Sequence, residues 1–172
     1  MQGLKAPEPS AEESFTEIVE TYQASLLRMC YLMLHDTGLA EDAVQETMIK
    51  AYRSLSTFRN ESQLKTWLMS IAINTCRDMR RGAWWKHIRC SVTLEEIHRA
   101  VPPASDDVIA LNMEIAKLPS KLREVVLLYY YQDMTTEQIA GALNVAPSTV
   151  CVRLKKAREK LRLAMKGEAF DE

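Results

Sequence analysis

Between Met134 and Leu163 the chain carries a short segment of apolar periodicity, a tight break, and a longer segment loaded with positive charge. Thr135, with Gln138 three residues on, fits a capping box, in which two side chains satisfy the orphan backbone donors of a helix start. Ile139, Ala140 and Leu143 then share one helical face. Asn144-Val145-Ala146 supplies a turn, and Pro147 suits the first turn of a new helix, where its missing N–H costs nothing. Val150, Leu154, Ala157 and Leu161 continue the apolar stripe, while Arg153, Lys155, Lys156, Arg158, Lys160 and Arg162 occupy the other faces. Two helices joined by a tight turn, the second of them basic, describe a helix-turn-helix that reads duplex DNA. An ordinary helical hairpin with a solvated basic face carries the same pattern, and the rest of the chain has to separate the two.

Charge is the first discriminator. The formal net charge of −1 conceals a partition. Residues 1–60 hold five bases against nine acids, residues 65–89 hold six bases against Asp78 alone, and residues 147–166 hold seven bases against Glu159 alone. Two separated basic stretches in a near-neutral chain suggest two contacts with one extended polyanion. At 172 residues and 47% hydrophobic content, with five glycines and six prolines, the chain is expected to be folded and helix-rich. No run of about 18 uncharged apolar residues is present, so no membrane insertion is expected. The start, with Pro7 and Pro9, has neither the basic opening nor the apolar core of a secretory signal, which leads us to expect a cytoplasmic protein.

Catalytic and metal-binding patterns are missing. Cys30, Cys76, Cys90 and Cys151 form no CxxC pair, and His35, His87 and His98 have no ligand spacing. Cys30 and Cys76 read as small core residues. The five glycines are too dispersed to cradle a phosphate, and acid pairs such as Glu41-Asp42 lack the apolar enclosure that shifts a pKa. No disulfide, metal, cofactor or enzymatic activity is expected.

The periodicity is helical throughout, giving an all-α fold of two small domains joined by a flexible linker. Residues 1–14 read as a flexible tail. A first helix runs from Phe15 to about Leu34; its apolar end, from Met29 to Leu34, needs neighbours on nearly every side. His35-Asp36-Thr37-Gly38 breaks it. A second helix runs from about Leu39 to Ser56, with Leu39, Ala43, Val44, Met48, Ala51, Tyr52 and Leu55 as its buried face. Asp42, Gln45, Glu46 and Ile49 line a different face, which composition leaves open as either plain solvated surface or a docking strip. After a polar loop (57–63) comes a third helix from Leu64 to about Arg81, with Leu64, Trp67, Leu68, Ile71, Ala72, Thr75 and Met79 as its apolar face. Asn74, Arg77, Asp78 and Arg81 project from the other side. Gly82 suits a C-cap there, and Arg80 and Arg81 suit the negative end of the helix dipole. The first domain therefore spans 15–82. Residues 83–107, with Pro102-Pro103, form the linker, with room for a helical turn around Leu94 to Arg99; Trp84 and Trp85 are expected to cover the end of the first domain. The second domain spans 108–166, with Val108, Leu111, Ile115 and Leu118 on one helix and Leu122, Val125, Val126 and Tyr129 on the next. A short tail (167–172) ends the chain.

Three stretches together resemble a known family. Residues 40–55 are similar to the D-x-x-Q-E-x-F helix, residues 64–81 to the T-W-L-x-x-I-A-x-N helix with its closing D-x-x-R-R, and residues 117–130 to the segment entering the helix-turn-helix of the extracytoplasmic-function sigma factors. These are small promoter-recognition subunits of bacterial RNA polymerase in the sigma-70 family. The resemblance covers nearly everything from Phe15 to Met165. It implies an alternative-promoter sigma factor that docks through Asp42, Gln45, Glu46 and Ile49 on the clamp of the largest subunit of core RNA polymerase. Phe58, Arg59, Asn60, Ser62 and Lys65 would capture a flipped minus-ten base, with Asn74, Arg77, Arg80 and Arg81 holding the melted strand. Trp67, in the apolar stripe, is assigned to core packing. Ser148, Thr149, Cys151, Val152, Arg153, Lys155, Lys156 and Arg158 would meet the minus-thirty-five duplex. An anti-sigma factor is implied as a further partner.

At one place the chain departs from the pattern. Cys151 and Val152 stand where many relatives carry a cation and a small hydroxyl residue, so base specificity does not transfer; Val152 is suited to a thymine methyl. The residues by themselves also fit a stand-alone helix-turn-helix regulator binding operator DNA, an enzyme acting on nucleic acid, or a helical adaptor.

Overall fold

The first helix ends in a segment that is apolar on all sides, and the packing around that segment organises the molecule. In the computed structural model, which describes residues 11–58, 63–81 and 106–168, α1 spans Ala11–Leu34. Met29, Cys30, Tyr31, Leu32, Met33 and Leu34 are all essentially inaccessible to solvent. A helix set against one neighbouring layer would bury a stripe only. This one is enclosed because α2 and α3 pack on it from its own domain while the helices of the second domain close over it from the other side.

His35 takes a left-handed backbone conformation (φ 58°) and donates its amide to the Tyr31 carbonyl at 2.7 Å, which terminates α1. Asp36 then caps α2 (Thr37–Ser54), its Oδ1 accepting the Leu39 amide at 2.8 Å. The second helix thus begins two residues ahead of the expected Leu39, and Gly38 lies inside it. It ends at Ser54, where a short 3₁₀ turn (Leu55–Thr57) leads toward the loop. Leu39, Ala43, Val44, Met48 and Ala51 are buried as expected. Tyr52 is not: it is half exposed and packs edge-to-face on Phe15, with ring centroids 5.0 Å apart.

Helix α3 spans Leu64–Arg81, as its spacing predicts. Its buried face, however, is centred on Thr66, Leu68, Met69, Ala72, Ile73, Thr75 and Cys76, with Leu64, Trp67, Ile71 and Met79 only partly covered. The stripe is rotated because α3 is packed on two sides, by α1 and α2 and by the first helix of the helix-turn-helix. Thr66 lies directly against Gly141 of that helix. A hydrogen bond to Cys76, and then burial, push the Cys30 thiol well above its usual range, so Cys30 is inert filling, with Cys76 buried beside it.

The second domain comprises α4 (Asp106–Lys117), α5 (Ser120–Val126) continuing through a widened π-helical turn (Leu127–Tyr131), α6 (Thr136–Leu143) and α7 (Pro147–Glu168). Among the described residues every regular element is helical, in keeping with the all-α reading. The capping box is present: Thr135 Oγ1 accepts the Gln138 amide and Gln138 Oε1 accepts the Thr135 amide. Asn144 adopts the left-handed conformation (φ 53°) that closes α6. Replacing Thr135 by Ala is expected to cost about 1 kcal/mol and to lower the thermal midpoint by about 2–4 °C; a scan with an unchanged midpoint would show the cap to be redundant. The anticipated turn at Leu94–Arg99, Pro102-Pro103, Trp84 and Trp85 lie outside the described residues, as do both expected tails for the most part.

Candidate polymerase-docking and DNA-binding surfaces

The strip on α2 faces outward. Asp42, Gln45 and Ile49 are exposed, Ile49 at 45%, and Glu46 is partly covered and paired with Lys50 at 3.4 Å. Lys50 also reaches Thr75 on α3 at 3.3 Å, which sets its position beside the strip. An exposed aliphatic side chain among carboxylates and an amide is what a docking surface needs: apolar area at the centre and charge around it. Exposed Tyr52 lies one turn beyond Met48 and Ile49 and extends this apolar area. Periodicity puts it inside, whereas in the fold it is half exposed, with Phe15 of α1 against one side of its ring.

On the second surface, Phe58 stacks in a tilted arrangement on Trp67, centroids 4.8 Å apart. Trp67 is partly buried against the core, in line with packing, and its ring also supports Phe58. Beside it lies a cleft lined by Glu17, Ile18, Thr21, Tyr22, Leu55, Phe58 and Leu64. Lys65 is half-buried at the start of α3. Arg59, Asn60 and Ser62 lie outside the described residues.

Farther along α3, Asn74 is exposed, and its Oδ1 accepts from Arg77 Nη1 at 3.3 Å. The Arg77 guanidinium reaches across the domain seam: Nε and Nη2 donate to the two carboxylate oxygens of Glu124 on α5, at 2.9 and 2.7 Å. This fork is a bidentate pair in which the Glu124 side chain is only 3% exposed, and the carboxylate raises the Arg77 pKa. Arg77, expected at the DNA, is in this structure paired across the domain seam, because Glu124, 47 residues on, is brought opposite it. Arg80 is half-buried; Arg81 is exposed and 3.6 Å from Asp78, a pair too solvated to contribute much. Arg77, Arg80, Arg81, Ser120, Lys121 and Glu124 line a cleft between the domains.

On α7, Val150, Leu154 and Ala157 are buried against α5 and α6. At 100° per residue, Ser148, Val152 and Lys155 point directly away from that seam, with Cys151 and Lys156 on either side of them. Cys151, Val152 (52%), Lys155 and Lys156 are all exposed. Thr149 and Arg153 are on one flank, partly covered. Arg158 lies on the opposite flank, where it stands apart from the other cations: its Nε donates to Tyr130 Oη at 2.8 Å, and its guanidinium sits 5.6 and 5.8 Å from the Tyr129 and Tyr130 ring centroids. The hydroxyl and ring faces raise its pKa. Motif reading offered no sign of this clasp beyond the three consecutive tyrosines.

Several residues at the domain seam carried no sequence signal. Gln138 donates to Gln63, and Gln132 Nε2 donates to the Ser25 carbonyl at 3.1 Å. Arg123 Nη1 donates to the Met33 carbonyl at 3.1 Å and lies 2.6 Å from His35 Nε2, while Nη2 donates to the Leu118 carbonyl at 2.8 Å.

Known proteins match both halves. The sigma-70 region 2 model matches residues 18–86, and a sigma-70 region 4 model matches residues 109–161. The ECF RNA polymerase sigma factor SigW of Bacillus subtilis is 30% identical over 174 residues, with 92% of each chain covered. The RNA polymerase sigma-E factor of Streptomyces coelicolor is 32% identical over 166 residues, covering 91% of this chain and 89% of its own. Among solved structures, the sigma factor RpoE in complex with the anti-sigma factor NepR from Bartonella quintana superposes with a TM-score of 0.73 at 22% identity, over 92% of this chain and 99% of that one. CnrH in complex with the cytosolic domain of CnrY gives 0.71 at 22%, over 91% and 90%. A stand-alone operator-binding regulator would lack the first of the two regions. The chain belongs to the extracytoplasmic-function sigma factors of the sigma-70 family, the subunits that bind core RNA polymerase and direct transcription initiation at alternative promoters.

Proposed function

We propose that this sigma factor divides its work among three surfaces: Asp42, Gln45, Glu46 and Ile49 dock on the clamp of the largest polymerase subunit; the loop from Phe58 to Ser62 with Lys65, Asn74, Arg77, Arg80 and Arg81 captures minus-ten DNA; and the outward face of α7 reads the minus-thirty-five duplex. The observation that carries this reading is the exposure of the acidic-aliphatic strip on α2 together with the cationic face of α7, each backed by a packed core. Surfaces built on buried helices hold their geometry when a partner arrives.

Reach supports the division. Promoter elements named ten and thirty-five base pairs upstream lie on the order of 85 Å apart, at 3.4 Å per base pair. The 24 residues between Arg81 and Asp106 span at most about 80–90 Å when extended. The domains must therefore part to engage both elements, and parting frees Arg77 from Glu124. Because the two solved structures named above are complexes with an anti-sigma factor and with the cytosolic domain of CnrY, a protein partner of that kind belongs to the proposal, as does action in the cytoplasm, where polymerase works. The described helices include none long and apolar enough to cross a membrane.

Run-off transcription with purified core polymerase and a set of promoter fragments tests the whole reading. Initiation that depends on this chain is expected; absence of a core complex and of any transcript would sink it. A narrower test concerns α7. Lys156→Ala is expected to weaken binding to minus-thirty-five duplex and to lower the slope of log affinity against log salt by about one. An unchanged slope would place Lys156 away from the phosphates.

A further inference from the structure

We infer that His35 is a proton-sensitive latch on the seam between the two domains, neutral when they are clasped and charged when they part. Its place in the fold makes the case. His35 sits at the end of α1, 8% exposed, and its Nε2 is 2.6 Å from Nη1 of Arg123, a second-domain side chain that is itself 6% exposed. A guanidinium can only donate, so Nε2 must accept, and the imidazole must be neutral for this contact to exist. A proton taken up at Nε2 removes the accepting lone pair and sets two cations against each other in a site closed to water.

The surroundings offer that charge little relief. Helix α5 contributes Arg123, α3 contributes Arg80, and α4 contributes the backbone of Ala116, which alone favours the charged form. Among the described residues no carboxylate acts on the ring, and those nearest in sequence to His35, Arg123 and Ala116 are engaged elsewhere: Asp36 caps α2, Glu124 is held by Arg77, and Glu114 pairs with Lys117. Burial first, then Arg123 and then Arg80, lowers the His35 pKa from 6.5 to about 4. Arg123 meanwhile also ties the Met33 carbonyl of the first domain to the Leu118 carbonyl of the second. Expelling it from His35 therefore loosens the seam at a point where both domains are anchored.

The sign follows from linkage. The histidine binds protons more readily in the parted state, so clasping is at full strength above pH 6.5 and is lost progressively as pH falls from 6.5 toward about 4. Arg80 stays with His35 when the domains part, so the parted histidine lies between that case and an ordinary one, and the ratio of parted to clasped chains rises by up to about 30-fold between pH 7.5 and pH 5. Parting is the step that frees Arg77, so the functional consequence rests on the proposed promoter-binding role; the latch itself does not.

Small-angle scattering of the full chain, without polymerase or DNA, tests it. Wild type, His35→Gln, Glu124→Gln and the double variant are compared from pH 7.5 to pH 5, with far-UV circular dichroism recorded alongside. Glutamine keeps an acceptor toward Arg123 but does not titrate, and Glu124→Gln weakens the seam so that the acid-driven change crosses the measurable range. The expected result is expansion on acidification of the proteins that retain His35, at constant helix content, with a flat response in both His35→Gln proteins. Acid expansion that is the same with and without His35, no expansion in either protein that retains it, or expansion that accompanies loss of helix would each overturn the latch. None of these outcomes bears on whether the chain supports transcription.

Discussion

Asp42→Arg combined with Glu46→Arg is expected to remove core-polymerase binding, by 100-fold or more, while leaving the fold intact. The reason is the contrast between what these carboxylates do inside the chain and what they would meet outside it. Asp42 is exposed and Glu46 pairs only with Lys50, one turn along the same helix. Such surface pairs contribute about 0.3–0.5 kcal/mol, so reversal costs the free chain little. At an interface, by contrast, like charges brought together cost several kcal/mol, and a loss of about 2.7 kcal/mol already amounts to 100-fold in affinity. Gel filtration with core enzyme, circular dichroism and binding of the full chain to minus-thirty-five duplex separate the possibilities. Retained core binding would take α2 out of the docking surface, whereas equal loss of all three signals would mean that the variant is unfolded.

Arg77→Ala is the second large effect, and it is expected to part the domains. Glu124 is buried and both its oxygens are satisfied by one guanidinium. Deleting that guanidinium leaves a buried carboxylate without its counter-charge, a change that costs about 3–5 kcal/mol where no relaxation is possible. Relaxation is available here: if the domains separate, Glu124 reaches water. The penalty therefore appears as opening rather than as global unfolding. Deleting the other partner is milder, because the Arg77 side chain is 29% exposed and can be solvated in place. Scattering should show Arg77→Ala more expanded than Glu124→Ala, with equal helix content. The reverse order, or no change in either, would show that the seam is held by its apolar contacts and not by this pair.

What could be read along the chain follows from what each residue meets within about one helical turn. The α3 boundaries at Leu64 and Arg81, the capping box of Thr135 and Gln138, and the closing of α6 at Asn144 all depend on backbone groups three or four residues away. Those partners are present whatever the rest of the molecule does. The start of α2 was misplaced for a related reason. Gly38 looked like the breaker, but His35 took the left-handed conformation and Asp36 supplied the cap, leaving Gly38 free to be helical. The docking strip on α2 and the outward face of α7 were legible as faces. Their partners were named by resemblance, since composition alone cannot tell a solvated face from a docking one.

Two kinds of residue escaped that reading. Tyr52 and the rotated stripe of α3 were misjudged because periodicity identifies an apolar arc and not the number of elements that cover it; α3 is covered from both domains. The intrachain contacts of Arg77 and Arg158 carry no sequence signal, because charge in a sequence has no direction; their DNA-binding role stays with the proposal. Their partners, Glu124 at 47 residues' distance and Tyr130 at 28, lie beyond any local pattern. By itself, then, the sequence determined the helices, their caps, the helix-turn-helix and the division into acidic and basic faces, since these rest on local hydrogen bonds and side-chain spacing. The tertiary structure alone decided which cations are presented and which are held, and that the apolar end of α1 is shared between two domains with His35 and Arg123 at its rim. Those outcomes depend on which surfaces meet across the chain, and burial there changes the strength of a charge pair far more than spacing does.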